Sequence, residues 1–133
     1  MTGADLISHA RALLGIPFRH QGRSRHGVDC IGLVVLSARA CGLAVSADRT
    51  DYPRDPVGAL QPALLARLSV VTDAWREGDV LLMRFGSEPQ HVALWTGAGI
   101  IHAMARVGRV VEHDLDTKWR RRVVAVYRFP ESD

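Results

Sequence analysis

Apolar residues recur along the first half of the chain with the spacing of α-helices. Residues 3–15 carry one apolar stripe and begin after Thr2, which predicts an amphipathic helix with an N-terminal cap. Residues 29–41 are apolar on nearly every side, which predicts a second, buried helix capped by Asp29. The pattern predicts a third helix over residues 56–69.

The second half of the chain changes to short apolar runs separated by turn residues. Such runs predict β-strands, and their short connections predict antiparallel pairing. Residues 16–28 are predicted to form a loop and residues 114–122 a turn or short helix. Helices followed by a meander of strands predict an α+β fold, in a single domain over residues 1–133. The predicted strands are 80–85, 92–95, 100–103, 109–112 and 123–127.

Composition narrows the possible partners without identifying one. The net charge of +3 favours anionic partners, but no nucleic-acid reading motif is present, so specific nucleic-acid binding is not predicted. No run approaches the ~18 apolar residues of a membrane span. The start of the chain shows no signal peptide, so we expect synthesis in the cytoplasm and delivery by some route other than a Sec signal.

Cys30 is the strongest candidate for catalytic chemistry because it falls in the first turn of the predicted second helix. The positive end of a helix stabilises a thiolate, which predicts a lowered thiol pKa, and its free N–H groups can bind an oxyanion. The competing interpretation is a small cysteine in the core. Cys41, near the end of the same helix, lacks this advantage and is predicted to be core. The two lie roughly 16 Å apart on a helix, too far for a disulfide.

His91 and His102 are candidates for the base and for the group that orients it, both of which a nucleophilic thiol needs. They lie eleven residues apart in consecutive predicted strands, where side chains can be neighbours on one face of a sheet. We expect a helix packed across that face to bring Cys30 within reach. His102 accepting the ring N–H of His91 would fix the tautomer of His91.

Each histidine also fits a simpler role. His91 fits a polar residue at a strand edge, and His102 fits a hydrogen-bonded core histidine. A metal site could instead use these two together with His20, His26 and His113. Their spacing matches neither a close helical pair nor a zinc-binding Cys-x-x-Cys motif, so no metal is predicted.

Three blocks of sequence, of which the second has two segments, resemble in this order along the chain the NlpC-type cell-wall peptidases, a papain-like family. GVDCIGLV at 27–34 resembles the family's nucleophile motif. EGDVL at 77–81 resembles a strand entry, and HVALW at 91–95 resembles the strand that carries the base. IIHA at 100–103 resembles the strand with the third polar residue. The resemblance covers roughly residues 5–105.

This resemblance implies N-terminal helices packed on an antiparallel sheet of about five strands, and a cysteine peptidase without a cofactor. Cys30 would attack a carbonyl of the peptidoglycan stem peptide and form a thioester, with His91 as base and His102 as the third residue. The implied bond joins D-γ-glutamate to the diamino acid that follows. Asp29 would hold the free amine of the substrate, in addition to capping the helix.

Three positions depart from the family pattern. Ile31 replaces the common Ser after the nucleophile, Phe18 replaces the common Tyr, and Gln21-Gly22 replaces a glycine pair. The segment PFRHQGR at 17–23 is similar to the sub-branch of tailed phages and phage-derived gene transfer agents. That likeness implies tail or baseplate proteins as partners and action in the cell wall of a target bacterium. Phe18, His20 and Arg23 are candidates to line the substrate groove.

Two other functions remain open at this level. An amidase of CHAP type also orders Cys before His and would cut between the sugar and the first stem residue. A structural tail-tip protein would keep the fold with little activity, which Ile31 and Phe18 favour and the intact set of Cys30, His91 and His102 opposes.

Overall fold

Two helices packed on a six-stranded antiparallel sheet make up most of the protein. The structure, a computed structural model, describes residues 1–43, 68–85 and 89–130, with the backbone alone at 89 and 90. Its elements are α1 (Gly3–Arg11), β1 (Arg23–Ser24), β2 (Gly27–Val28), α2 (Cys30–Ala40), β3 (Ser69–Val70), β4 (Val80–Arg84), β5 (Pro89–Trp95), β6 (Gly99–Met104), β7 (Arg109–Asp114), α3 (Thr117–Arg120) and β8 (Val123–Arg128).

Helix α1 begins as predicted but is shorter than predicted. The Thr2 hydroxyl accepts from the Asp5 N–H at 3.2 Å, and the Asp5 carboxylate accepts from the Thr2 N–H at 2.9 Å, which together form a capping box. The helix ends at Arg11 rather than at residue 15, because the backbone then tightens into turns with bonds between residues three apart.

Helix α2 follows the prediction closely. Asp29 caps it, and Gly42, with φ of 85°, turns the chain immediately after it. The predicted third helix lies in residues outside the described ranges, except for its last two positions, of which Ser69 belongs to β3. In the predicted loop at 16–28, β1 and β2 pair as a small hairpin. The short helix α3 forms within 114–122, where a turn or short helix is predicted.

The large sheet has the strand order β3-β8-β4-β5-β6-β7, with antiparallel pairing throughout. The five predicted strands are confirmed, and β3 is an addition. The prediction of a simple meander is wrong for β8, which crosses back to pair with β4. Val126 and Tyr127 of β8 are buried in separate cores on opposite faces of the sheet, which fits the position of β8 between β3 and β4.

The sheet has a hydrophobic core on each face. The larger core lies under the helices, where Val92 and Leu94 of β5 pack together with α1 and α2. The smaller core contains Leu81, Met83, Ala93, Ile100 and Val126, and partly buried tryptophans pack against it. Because side chains alternate along a strand, the apolar residues of β5 and β6 divide between the two cores, with Val92, Leu94, Ile101 and Ala103 in the larger one and Ala93 and Ile100 in the smaller one. Within the described ranges, no helix has the length and apolar character needed to cross a membrane.

Candidate active site

The N-terminus of α2 is built around the carboxylate of Asp29, which is 4% exposed. One oxygen, Oδ1, accepts from the Gly32 N–H at 2.8 Å and from Arg23 Nη1 at 3.1 Å. The other, Oδ2, accepts from the Gln21 N–H at 2.9 Å. The predicted capping role of Asp29 is therefore confirmed, and the same carboxylate ties the preceding loop to the first turn of the helix.

The loop beside this turn is closely fitted to the helix. Gln21 has φ of 61°, a left-handed conformation that glycine adopts more readily, and its N–H is held by Asp29. A side chain at Gly32 would place its Cβ 2.1 Å from the carbonyl oxygen of Gly22. The sequence GVDCIGLV therefore needs glycine at position 32 for the loop to pack directly on the helix.

The thiol of Cys30 lies where β5 separates from β6. The pairs between these strands are Trp95–Ile100 and Leu94–Ile101. Closer to His91, the backbone N–H of Val92 instead donates toward the Cys30 sulfur, as does the N–H of Ile31. This contact places the sulfur one residue along β5 from His91.

The prediction of a lowered thiol pKa is wrong. Burial, followed by the negative charge of Asp29, raises the pKa of Cys30 to about 12 and outweighs the two N–H donors and Arg23. The residue keeps partial contact with solvent. The resting thiol is therefore protonated at neutral pH and needs a base when it attacks.

His91 and His102 form the predicted pair. His91 Nε2 lies 2.7 Å from His102 Nδ1, and the two residues are 5% and 0% exposed. Since the Nε2 of His91 is engaged by His102, its Nδ1 is the ring nitrogen left to accept a proton from Cys30. The prediction that His102 orients His91 is consistent with this geometry.

The expected packing of α2 across the histidine face is wrong. His91 lies opposite Met83 in the ladder between β4 and β5, on the face of the smaller core. Helix α2 packs on the other face, against the alternate residues Val92 and Leu94. Cys30 therefore approaches His91 at the gap between the separating strands, rather than from across one face of the sheet.

An aromatic layer covers the two histidines on their own face of the sheet. The ring of Phe85 lies 5.0 Å from that of His91, and the ring of Trp119 lies 5.1 Å from that of His102, between centroids. The guanidinium of Arg122 stacks 4.9 Å above Phe85 and 5.1 Å from Trp119. Sequence reasoning missed these three residues because Phe85 comes from a segment distant from Trp119 and Arg122, and the two segments meet only in the folded chain.

Burial favours the neutral form of both rings. It lowers the pKa of His91 to about 4, with a further contribution from the positive charge of Arg122. Burial also lowers the pKa of His102, and repulsion from His91 and His113 adds to the effect. His91 is therefore neutral near pH 7, the form that can accept a proton.

A third histidine, His113, continues this line and was not among the predicted catalytic residues. His102 Nε2 lies 2.8 Å from His113 Nε2, and His113 Nδ1 lies 2.8 Å from the carbonyl oxygen of Asp114. A signal for it exists in the sequence, because His91, His102 and His113 are each eleven residues apart. That repeat places each ring diagonally beside the next on adjacent strands.

The remaining predicted substrate residues lie around the loop before α2. Phe18 is half-buried, packs against the larger core, and donates its N–H to the carbonyl of Gly108 at 2.8 Å. Arg23 points toward Asp29, and only 12% of its side chain is exposed. His20 is half-buried in the same loop. Ile31, which stands where the family commonly has Ser, is 4% exposed and belongs to the larger core.

The three aligned histidines hold one another by hydrogen bonds rather than converging on a common point. Within the described ranges, no group of three or more His, Cys, Asp or Glu side chains has an arrangement that could hold a metal ion. Cys30 and Cys41 are both free thiols.

Comparison with known proteins identifies a family and proteins of similar sequence. The model of the NlpC/P60 family matches residues 15–128. The Escherichia coli (strain K12) protein named murein DD-endopeptidase MepS/murein LD-carboxypeptidase is 27% identical over 109 residues, which are 81% of this chain and 53% of that protein. The chain thus spans about half the length of the curated relative that it matches.

Solved structures show the same fold. A Bacillus cereus NlpC/P60 family protein superposes with a TM-score of 0.75 at 21% identity, covering 97% of this chain and 40% of that one. The peptidoglycan hydrolase RipB of Mycobacterium tuberculosis gives 0.72 at 20% identity, covering 98% and 65%. The predicted α+β fold, with helices on an antiparallel sheet, is confirmed.

Proposed function

Since this chain belongs to the NlpC/P60 family, we propose that it is a cysteine peptidase that hydrolyses the stem peptide of peptidoglycan. The observation that carries the proposal is the 2.7 Å contact between His91 Nε2 and His102 Nδ1. It leaves His91 Nδ1 as the proton acceptor, one residue along β5 from the backbone N–H that contacts the Cys30 thiol. A nucleophile, a base and an orienting group are thereby brought together.

The mechanism starts from a neutral thiol and a neutral imidazole. As the Cys30 sulfur attacks the substrate carbonyl, its proton passes to His91 Nδ1, and His102 accepts the hydrogen bond of the resulting imidazolium. The N–H of Gly32 already donates to Asp29 and that of Ile31 donates toward the Cys30 sulfur, so the N–H of Cys30 is the donor of the first helical turn available to the oxyanion.

Collapse of the tetrahedral intermediate breaks the C–N bond. His91 returns its proton to the departing amine, and the acyl group remains on sulfur as a thioester. A water molecule then attacks the thioester while His91 takes its proton, and the released Cys30 sulfur recovers the proton from His91. One water is consumed and one peptide bond is cleaved in each cycle.

The bond proposed is the one between D-γ-glutamate and the following diamino acid. Its support is the resemblance of the blocks around Cys30, His91 and His102 to the NlpC-type peptidases. The name of the curated relative points to other bonds of the same polymer, a DD cross-link and an LD carboxypeptidase bond. Asp29 as a ligand of the substrate amine belongs to this proposal, although both of its oxygens already accept hydrogen bonds from the chain.

A place in a phage-like tail is the second part of the proposal. The segment PFRHQGR at 17–23 supports it through its similarity to the sub-branch of tailed phages and gene transfer agents. The partners would be tail or baseplate proteins, and the site of action the periplasm or cell wall of a target bacterium. The role in a tail is tested by mass spectrometry of phage-like particles purified from the strain that produces this protein. Intact particles that do not contain the protein would contradict that role.

Digestion of defined muropeptides, with product identification by mass spectrometry, tests the catalytic part. Wild-type protein should split the stem after D-γ-glutamate, and Cys30→Ala should not, because the nucleophile and base act as a unit. Cys41→Ala is the matched control, since it removes the other free thiol, which lies at the far end of α2.

The products separate the alternatives. Cleavage between the sugar and L-alanine would identify an amidase, and cleavage of a DD cross-link would move the specificity toward that of the curated relative. A folded wild-type protein that cleaves none of these bonds would contradict the peptidase and favour the structural tail-tip role.

A further inference from the structure

The line of three histidines ends on a group that can only accept a hydrogen bond. The carbonyl oxygen of Asp114 has no proton, so the Nδ1 of His113, 2.8 Å away, carries the proton of that bond. We propose that His113 is a positioning residue, which sets the tautomers of His102 and His91 from this backbone carbonyl. The tautomers are a property of the resting protein; their effect on catalysis rests on the proposed peptidase function.

The direction of each hydrogen bond follows from the one before it. A neutral His113 with its proton on Nδ1 has a bare Nε2, so His102 Nε2 donates across the 2.8 Å contact. A neutral His102 with its proton on Nε2 has a bare Nδ1, so His91 Nε2 donates across the 2.7 Å contact. His91 is then left with a bare Nδ1, the form that can accept the proton of the Cys30 thiol.

Reversing the first bond would reverse the others. A donor-only group at position 113 would require His102 Nε2 to accept, which places the proton of a neutral His102 on Nδ1. His102 Nδ1 would then donate to His91 Nε2, and a neutral His91 would carry its proton on Nδ1. In that state His91 cannot take the thiol proton, so the identity of the group at 113 controls whether the base is available.

Burial favours a neutral His102, as this chain of donors requires. His102 is 0% exposed and has His91 on one side and His113 on the other. Trp119 of α3 packs against both His102 and His113, with ring centroids 5.1 Å away in each case. The groups in contact with the His113 ring are therefore the indole of Trp119, the imidazole of His102 and the backbone carbonyl of Asp114.

The first test reads the tautomers directly. Long-range proton–nitrogen NMR of the full chain, labelled with ¹⁵N-histidine, distinguishes a ring protonated on Nδ1 from one protonated on Nε2. We expect His113 protonated on Nδ1, and His102 and His91 protonated on Nε2, at neutral pH. Any other combination of tautomers for these three histidines in the folded protein would overturn the proposal. Because this readout needs no substrate, it stands apart from the success or failure of the proposed function.

The second test changes the group at 113. His113→Gln keeps an oxygen that can accept from His102 and an amide that can donate to Asp114, so kcat should stay within about threefold of the wild type. His113→Leu removes the acceptor and should lower kcat roughly tenfold or more. His113→Lys presents donors only and should lower kcat by up to about 10⁴-fold, as a wrong tautomer does at a catalytic histidine.

The pattern of losses separates positioning from a purely structural role. Positioning predicts an unchanged KM in all three variants, rescue by Gln, and conversion of His91 to the Nδ1–H form in the His113→Lys spectrum. Equal losses in Gln and Lys variants that remain folded would overturn the proposal, as would an unchanged His91 tautomer in a folded Lys variant. His9→Gln, on the exposed surface of α1, is the control for replacing a histidine elsewhere.

Discussion

The backbone N–H of Val92 points at the thiol of Cys30, so the proposed nucleophile lies against the strand residue next to His91, its proposed base. Its position does not make it a thiolate, because burial and Asp29 raise the pKa of Cys30 to about 12 while burial lowers that of His91 to about 4. Between these values both groups are neutral. Proton transfer must therefore accompany attack on the substrate rather than precede it.

Alkylation of Cys30 should show this protonated resting state. With Cys41→Ala as background, the rate of reaction with iodoacetamide should rise roughly tenfold per pH unit between pH 7 and 10, because only the thiolate reacts. The rate is measured by mass spectrometry of the quenched protein. A constant, high rate from pH 5 to 8, abolished by His91→Gln, would instead reveal a preformed thiolate–imidazolium pair and contradict the prediction.

Removal of the charge of Arg122 should strengthen the base. Arg122 lowers the pKa of His91, so Arg122→Gln should raise that pKa and move the acid limb of kcat/KM to higher pH. Arg122→Lys keeps a positive charge and is the matched control, with an acid limb close to that of the wild type. An acid limb that stays in place in the Gln variant would show that Arg122 does not act on His91.

Stability should fall as the pH drops below the ordinary range of histidine. The pKa of His91 falls from its ordinary value of 6.5 to about 4 in the fold, so the unfolded chain binds more protons between these values. The contribution is fully present above pH 6.5 and is lost progressively toward pH 4, amounting to about 3 kcal/mol.

Urea unfolding at pH 7 and pH 4.5 measures this loss. The lowered pKa of His102 acts in the same direction, so the wild type should lose stability through both rings. His91→Gln should reduce the difference between the two pH values, and His9→Gln should leave it unchanged. A difference of the same size in all three proteins would contradict the assignment to the buried ring.

Asp29 should contribute more to stability than an ordinary helix cap. Asp29→Ala removes three hydrogen bonds and leaves Arg23, with 12% of its side chain exposed, without this carboxylate, at a cost of about 3 kcal/mol. Asp116→Ala is the matched control, since Asp116 caps α3 through one bond to the Trp119 N–H, and should cost about 1 kcal/mol. Equal losses in urea unfolding would show that the contacts of Asp29 with the loop add nothing.

Much of the site was predictable because its residues lie in local patterns. Cys30 follows a cap residue at the start of an apolar helix, and His91 and His102 occupy strands with clear apolar runs. The positions of the five predicted strands agree with the structure for the same reason, because each strand is marked by its own short apolar run. The resemblance to NlpC-type peptidases rests on these patterns in order, and it gave the right fold.

What could not be predicted depends on contacts between distant segments. The raised pKa of Cys30 results from packing around the sulfur, whereas the position on the helix alone indicates a lowered one. The pairing of β8 with β4 depends on burial on both faces of the sheet. Arg122 acts on His91 from a segment more than thirty residues away in sequence. No periodicity within either segment contains this information.

The position of β8 also sets the order in which the molecule can be completed. Its neighbours β3 and β4 come earlier in the chain, and among the strands that the structure describes β3 pairs with β8 alone. While the chain emerges from the ribosome, the space between these two strands stays open until residues 123–128 arrive. Trp119 and Arg122, which cover the histidines, emerge just before them. The proposed catalytic site is therefore completed among the last parts of the fold. A nascent chain that stops short of β8 contains Cys30 but not yet the packed sheet around the histidines.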